Sequence, residues 1–64
     1  MTPLRLLEQH LIAHGCERVR HGARHDVWRG PLAARPVTVP RHREIPLGTA
    51  RAICRQLGVP APPR

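Results

Sequence analysis

Residues 16–29, CERVRHGARHDVWR, contain two short strand-forming runs on either side of a glycine turn. From Cys16 to Arg20, apolar and polar residues alternate imperfectly, which indicates a short strand. His21-Gly22-Ala23 has the composition of a turn. The run from Arg24 to Arg29 contains Val27 and Trp28, which both favour strands. The stretch therefore predicts two neighbouring strands joined by a tight connection.

A third strand follows between two prolines. Val37-Thr38-Val39 is the clearest strand signal in the chain, and it lies within the predicted strand Arg35 to Pro40. Pro36 and Pro40 bound it, and proline is tolerated at strand ends better than at central positions. Three short strands with short connections, one of them Leu32-Ala33-Ala34, predict an antiparallel meander.

A helix is predicted on each side of these strands. The first spans roughly Pro3 to His14, with Thr2 as its N-terminal cap and Gly15 as its left-handed stop. Its apolar stripe consists of Leu4, Leu7, Leu11 and Ile12. The second helix follows residues 45–49 and ends at Gly58, and its apolar face consists of Ala50, Ile53, Cys54 and Leu57.

The order helix, three strands, helix predicts an α+β fold with both helices on one face of a small sheet. Its 64 residues allow one domain, which we place at residues 1–59. Residues 60–64 form a proline-rich tail that we expect to be disordered or extended.

Charge is the strongest compositional signal. Eleven basic residues against four acidic residues give a formal net charge of +7, which is typical of proteins that bind polyanions such as RNA. A GC-rich genome or a need for solubility would also produce an arginine-rich composition. The arginines flank no amphipathic helix, no leader precedes the fold and no apolar run could span a bilayer, so we expect a cytoplasmic protein without a membrane partner.

The sequence predicts neither a metal site nor a cofactor. Cys16 and Cys54 form no Cys-x-x-Cys pair, and we interpret them as buried, reduced residues, although a single disulfide stays open. His10 and His14 lie four residues apart, as a metal-binding pair would, but no third ligand accompanies them. Exposed helix positions explain these two histidines better.

The candidate catalytic site lies at the turn that begins the second strand. Gly22 would let the backbone approach a ligand closely, and His25 follows it beside Arg20, Arg24 and Arg29. Imidazole titrates near neutral pH and suits proton transfer, while guanidinium groups bind phosphate. RNA cleavage without a metal needs both functions. A surface histidine among arginines is the competing interpretation.

A second basic cluster follows the third strand. Arg41, His42 and Arg43 form a compact candidate phosphate-binding patch, in which His42 could supply a second proton-transfer group. A solvated turn with an internal ion pair explains these residues equally well. Trp28, the only large aromatic residue, could stack on a base, pack in the core or anchor a partner.

Three runs occur in order along the chain: Gly22-Ala23-Arg24-His25-Asp26-Val27-Trp28, Val37 to Ile45 with its Val-Pro-Arg-His turn, and Gly48-Thr49 to Gly58. Together they resemble the HicA (YcfA-like) family of toxins from toxin–antitoxin modules, and the resemblance covers roughly residues 4–59. It implies a double-stranded-RNA-binding-domain-like fold and an mRNA interferase, a metal-independent endoribonuclease, with His25 as the catalytic histidine. It also implies RNA as substrate and an acidic HicB-type antitoxin as partner.

One position departs from the family pattern. Many members have Ser or Gly where this chain has Ala23, so any hydroxyl contact to phosphate at this position is missing here. Two other functions stay open: a non-catalytic basic RNA-binding module on the same fold, and a structural partner that uses its charge for docking. Loss of toxicity in His25→Ala with RNA binding retained would distinguish catalysis from binding.

Overall fold

The computed structural model describes residues 1–31 and 35–62, so the predicted connection Leu32-Ala33-Ala34 lies outside the described residues. The predicted α+β order of helix, three-stranded antiparallel sheet and helix is confirmed. The elements are β1 (Thr2–Pro3), α1 (Leu4–Ala13), β2 (Glu17–His21), β3 (His25–Arg29), β4 (Val37–Pro40), β5 (Glu44–Ile45) and α2 (Leu47–Leu57).

The main sheet has the order β2-β3-β4, with β3 in the centre. His25 pairs with Pro40 on one side of β3, and Trp28 pairs with both Val37 and Arg18. The β2–β3 register shifts between Arg18 and Arg20. A bulge adds one residue to one strand and breaks its alternation, which explains the imperfect pattern in the sequence.

One hydrophobic core joins both helices to a single face of this sheet. Trp28 of β3, the largest fully buried side chain, packs with Val37 and Val39 of β4. The predicted apolar face of α2 is buried as expected, and α1 contributes Leu7 and Leu11. Ile12 departs from the predicted stripe of α1, because its side chain is 62% exposed.

The predicted cap by Thr2 is wrong. Thr2 lies fully buried in β1, which pairs with β5 through Thr2–Ile45 and Pro3–Glu44. Pro3 occupies the N-cap position of α1 without a side-chain cap hydrogen bond. The chain between β4 and β5 is consequently short, because Glu44 and Ile45 form a strand. This pairing joins residues that are far apart in sequence, so no local sequence pattern predicts it.

Both predicted glycine stops are confirmed. Gly15 and Gly58 have φ angles of 86° and 75°, in the left-handed region that favours glycine. After α2 the chain runs back toward α1, where His10 Nε2 lies 2.8 Å from the Pro60 carbonyl oxygen. Val59 packs against the core.

Candidate functional site

Gly22 is required by the chain's own backbone at the β2–β3 turn. A Cβ at this position would lie 2.4 Å from the His25 carbonyl oxygen, and both groups belong to the backbone of one hairpin. Any larger residue would therefore force the two strands apart at the turn. The glycine is therefore needed by the hairpin itself, and the approach of a ligand to the Gly22 backbone stays a prediction.

Alternation along β3 separates His25 from the core. Asp26 and Trp28 point to the helix side, whereas His25 and Arg29 are exposed on the opposite side of the sheet. We call this second side the open face. Residues paired across antiparallel strands share a face, so Arg20, which pairs with Val27, also belongs to the open face. Three of the predicted residues, Arg20, His25 and Arg29, therefore share the open face, with His25 and Arg29 at opposite ends of β3.

The arginines that flank His25 in the sequence differ in whether they form ion pairs. Arg29 Nη2 lies 3.1 Å from Glu17 Oε1 in an exposed ion pair, which partly neutralises it. Within residues 1–31 and 35–62, Arg20 and Arg24 form no ion pair, and both are exposed. These two guanidinium groups are therefore free to meet a phosphate.

Asp26 is the residue of this site that the sequence did not single out. Its side chain is only 2% exposed, and its Oδ1 lies 3.0 Å from His21 Nδ1. The Gly22 amide donates to the same oxygen at 3.2 Å. Arg18 Nη1 lies 3.6 Å from Oδ2 and Arg41 Nε lies 3.8 Å from Oδ1. A buried carboxylate needs such compensation, and here the positive charge comes from two separate segments, from Arg18 on β2 and from Arg41 after β4.

Arg41 is engaged with the β2–β3 turn. Its backbone amide donates to the Arg24 carbonyl at 3.0 Å, and its Nη1 donates to the Gly22 carbonyl at 2.9 Å. With the contact to Asp26, three groups of Arg41 face the turn. Arg41 thus holds together the segment that precedes His25.

The other two residues of the second basic cluster lie apart from this network. His42 is exposed in the loop between β4 and β5. The Arg43 carbonyl accepts the Leu4 amide at 2.9 Å. Arg43 also lines a shallow depression at the start of α1, together with Arg5, Glu8 and Glu44. The three predicted members of this cluster therefore lie in different environments and do not form one patch.

Trp28 cannot stack on a base in this structure, because it is only 2% exposed. It is a core residue, as one of the alternatives predicted. Its Nε1 is buried and, among the described residues, has no hydrogen-bond partner. An unpaired buried N–H group costs about 1–3 kcal/mol, so the indole contributes to stability through packing alone.

The remaining candidate groups show their own arrangement. Cys16 and Cys54 are free thiols in the core. Burial raises the pKa of both thiols, and the neighbouring Cys16 raises that of Cys54 further. The rings of His10 and His14 lie 4.6 Å apart. In the described part of the chain, no group of three or more His, Cys, Asp or Glu could hold a metal ion.

No helix among the described residues has the length and apolar character that crossing a membrane would need.

In the comparisons with known proteins, a family model described as the HicA toxin of bacterial toxin–antitoxin matches residues 5–59. No curated protein and no solved structure matches the chain.

Proposed function

The chain belongs to the HicA toxin family of toxin–antitoxin systems, and from this premise we propose that it is a metal-independent endoribonuclease that cleaves mRNA through His25. The family gives the chain a toxin role and a cognate antitoxin. For the partner we propose an acidic HicB-type protein, which would complement the net charge of +7.

The observation that supports catalysis is the position of His25. It is exposed at the first residue of the central strand, on the open face that carries Arg20, and next in sequence to Arg24. The two arginines lack acidic partners among the described residues. An accessible imidazole on a face with free guanidinium groups supplies the general base and the phosphate-binding cations of metal-independent RNA cleavage.

The proposed reaction is an attack within the RNA strand. His25 takes the proton from a ribose 2′-hydroxyl, and the oxygen forms a bond to the adjacent phosphorus. The bond from phosphorus to the 5′-oxygen breaks, and a proton donor neutralises that oxygen as it leaves. The products are a 2′,3′-cyclic phosphate and a 5′-hydroxyl. Arg20 and Arg24 stabilise the negative charge that grows on the phosphoryl oxygens, and His42 is a candidate for the proton donor.

His25→Ala tests this function, with His14→Ala as the matched control because His14 is an exposed histidine at the end of α1. Loss of a general base lowers the rate by about 10²–10⁴-fold. We expect His25→Ala to abolish growth arrest and RNA cleavage but to keep RNA affinity, whereas His14→Ala stays active. Cleavage by the wild type should persist in EDTA and fail on 2′-O-methyl RNA.

The alternative function is a basic RNA-binding module that does not cleave, which the free Arg20 and Arg24 would equally serve. It predicts binding that falls steeply with salt, without strand scission. If His25→Ala is as toxic as the wild type, or if purified protein binds RNA and leaves it intact, catalysis by His25 is wrong.

A further inference from the structure

Asp26 and Arg41 surround the turn that leads into His25. The Asp26 carboxylate binds the Gly22 amide at 3.2 Å, on the side of the turn where β2 ends. Arg41 binds the Gly22 carbonyl through Nη1 at 2.9 Å and the Arg24 carbonyl through its own amide at 3.0 Å. Arg41 Nε and Asp26 Oδ1 then lie 3.8 Å apart, which closes the network. The backbone of the turn is therefore held on both sides of Ala23.

The burial of Asp26 makes the contacts of this network costly to lose. Because water barely reaches the carboxylate, removing one charged partner leaves a buried charge poorly compensated, and such changes are costly. His21 and Arg18 supply the remaining contacts, at 3.0 and 3.6 Å. The turn thus has one favoured arrangement, and His25 is the next residue along the chain from it.

We propose that Asp26 and Arg41 are positioning residues that hold the turn 22–24 and thereby fix the direction of the His25 imidazole on the open face. This inference rests on the proposed nuclease function of His25. It assigns Arg41 to the turn and leaves phosphate binding to the arginines without acidic partners, Arg20 and Arg24. Because a displacement of about 1 Å at a catalytic group can cost 10²-fold in rate, a loosened turn should reduce catalysis without a lost phosphate contact.

The salt dependence of RNA binding separates the two roles of arginine. Each phosphate contact contributes about 0.7–1 to the slope of log K against log salt concentration. We would measure this slope on a 2′-O-methyl oligonucleotide, which cannot be cleaved, and kcat on the matching RNA. For Arg41→Gln we expect an unchanged slope and a kcat lower by about 10–100-fold. For Arg20→Gln we expect the slope to decrease by about 0.7–1, the contribution of one phosphate contact.

The result for Arg41→Gln can overturn the proposal. A slope reduced as in Arg20→Gln, with kcat at saturating RNA retained, would make Arg41 a phosphate ligand and refute its positioning role. Arg41→Lys keeps the charge but cannot reproduce the contacts of the guanidinium to Gly22 and Asp26 together. We therefore expect Arg41→Lys to have the same low kcat as Arg41→Gln, and full activity of Arg41→Lys would also contradict the proposal.

A second readout does not depend on cleavage. The ring resonances of His25 and the amide exchange of residues 22–24 can be followed by NMR in the full chain. We expect Asp26→Asn and Arg41→Gln to shift the His25 resonances and to speed exchange in the turn. Glu17→Gln is the matched control, because it removes the same charge from the same hairpin at an exposed ion pair with Arg29, and it should leave both readouts unchanged.

The nuclease function of His25 and the positioning role of Asp26 and Arg41 can be refuted independently. If His25→Ala cleaves RNA as the wild type does, the nuclease function of His25 is wrong, whatever the NMR data on the turn. If His25→Ala is inactive but both Arg41 variants leave the turn and kcat unchanged, only the positioning role is wrong. Arg41 is partly exposed, so its variants provide this test even where Asp26→Asn does not fold.

Discussion

At the scale of single residues, Gly22 carries the tightest constraint near His25. A Cβ there would lie 2.4 Å from the His25 carbonyl oxygen, whereas a Cβ at Gly48, near the start of α2, would meet nothing within 4 Å. The same glycine-to-alanine change therefore has opposite consequences at these two positions. Neither glycine has a positive φ angle, so the difference arises from space alone.

We expect Gly22→Ala to lower the free energy of unfolding by about 1–3 kcal/mol, the usual cost of forcing atoms into a packed site. Gly48→Ala should raise it by about 0.4–1 kcal/mol, since alanine favours helix and restricts the unfolded chain. Urea unfolding followed by circular dichroism measures both. Equal stability of the two variants would contradict the tight turn at His25.

The limits of sequence reasoning are also visible at single residues. His25 and its arginines could be proposed because their chemistry is apparent from residue type. Asp26 was missed because its importance depends on Arg18 and Arg41, which lie on β2 and after β4. Only the strand pairing brings these side chains to one carboxylate. The sequence offered one clue to the role of Asp26. A tight hairpin centred on residues 22–25 would place His21 opposite Asp26, as the structure shows.

At the scale of the elements, hydrophobic spacing predicted both helices and the three main strands. It failed where long-range pairing replaced a local preference: Thr2 has the residue type of a helix cap, yet it is buried opposite Ile45. It also failed at the edge of the α1 stripe. Leu11 and Ile12 are neighbours, but Leu11 is fully buried and Ile12 is 62% exposed, because only one of them faces the sheet.

This difference predicts the energetics of α1. We expect Leu11→Ala to lower the free energy of unfolding by about 2–5 kcal/mol, because it leaves a cavity in the core. Ile12→Ala should change it by no more than about 0.5 kcal/mol, as for other exposed positions. Chemical denaturation of both variants measures the difference. A large loss in Ile12→Ala would mean that another surface covers this side of α1.

At the scale of the whole molecule, the small size makes each buried group matter. The buried apolar residues of ranges 1–31 and 35–62 form one core, and domains as small as this 64-residue chain are only marginally stable. Two of its core residues, Cys16 and Cys54, can ionise. Burial raises the pKa of both thiols above the ordinary value of 9.0, so the folded state favours their neutral form.

Alkaline pH should therefore destabilise the fold through these thiols. Well below pH 9 both states keep the thiols protonated, and their contribution to stability is constant. Above this pH the unfolded chain loses its thiol protons while the folded chain retains them, so stability falls until the pH reaches the raised pKa values. We expect the free energy of unfolding, measured by urea titration between pH 7 and 10, to decline more steeply in the wild type than in Cys16→Ala/Cys54→Ala. Equal slopes in the two proteins would show that the buried thiols do not govern the alkaline limit of this fold.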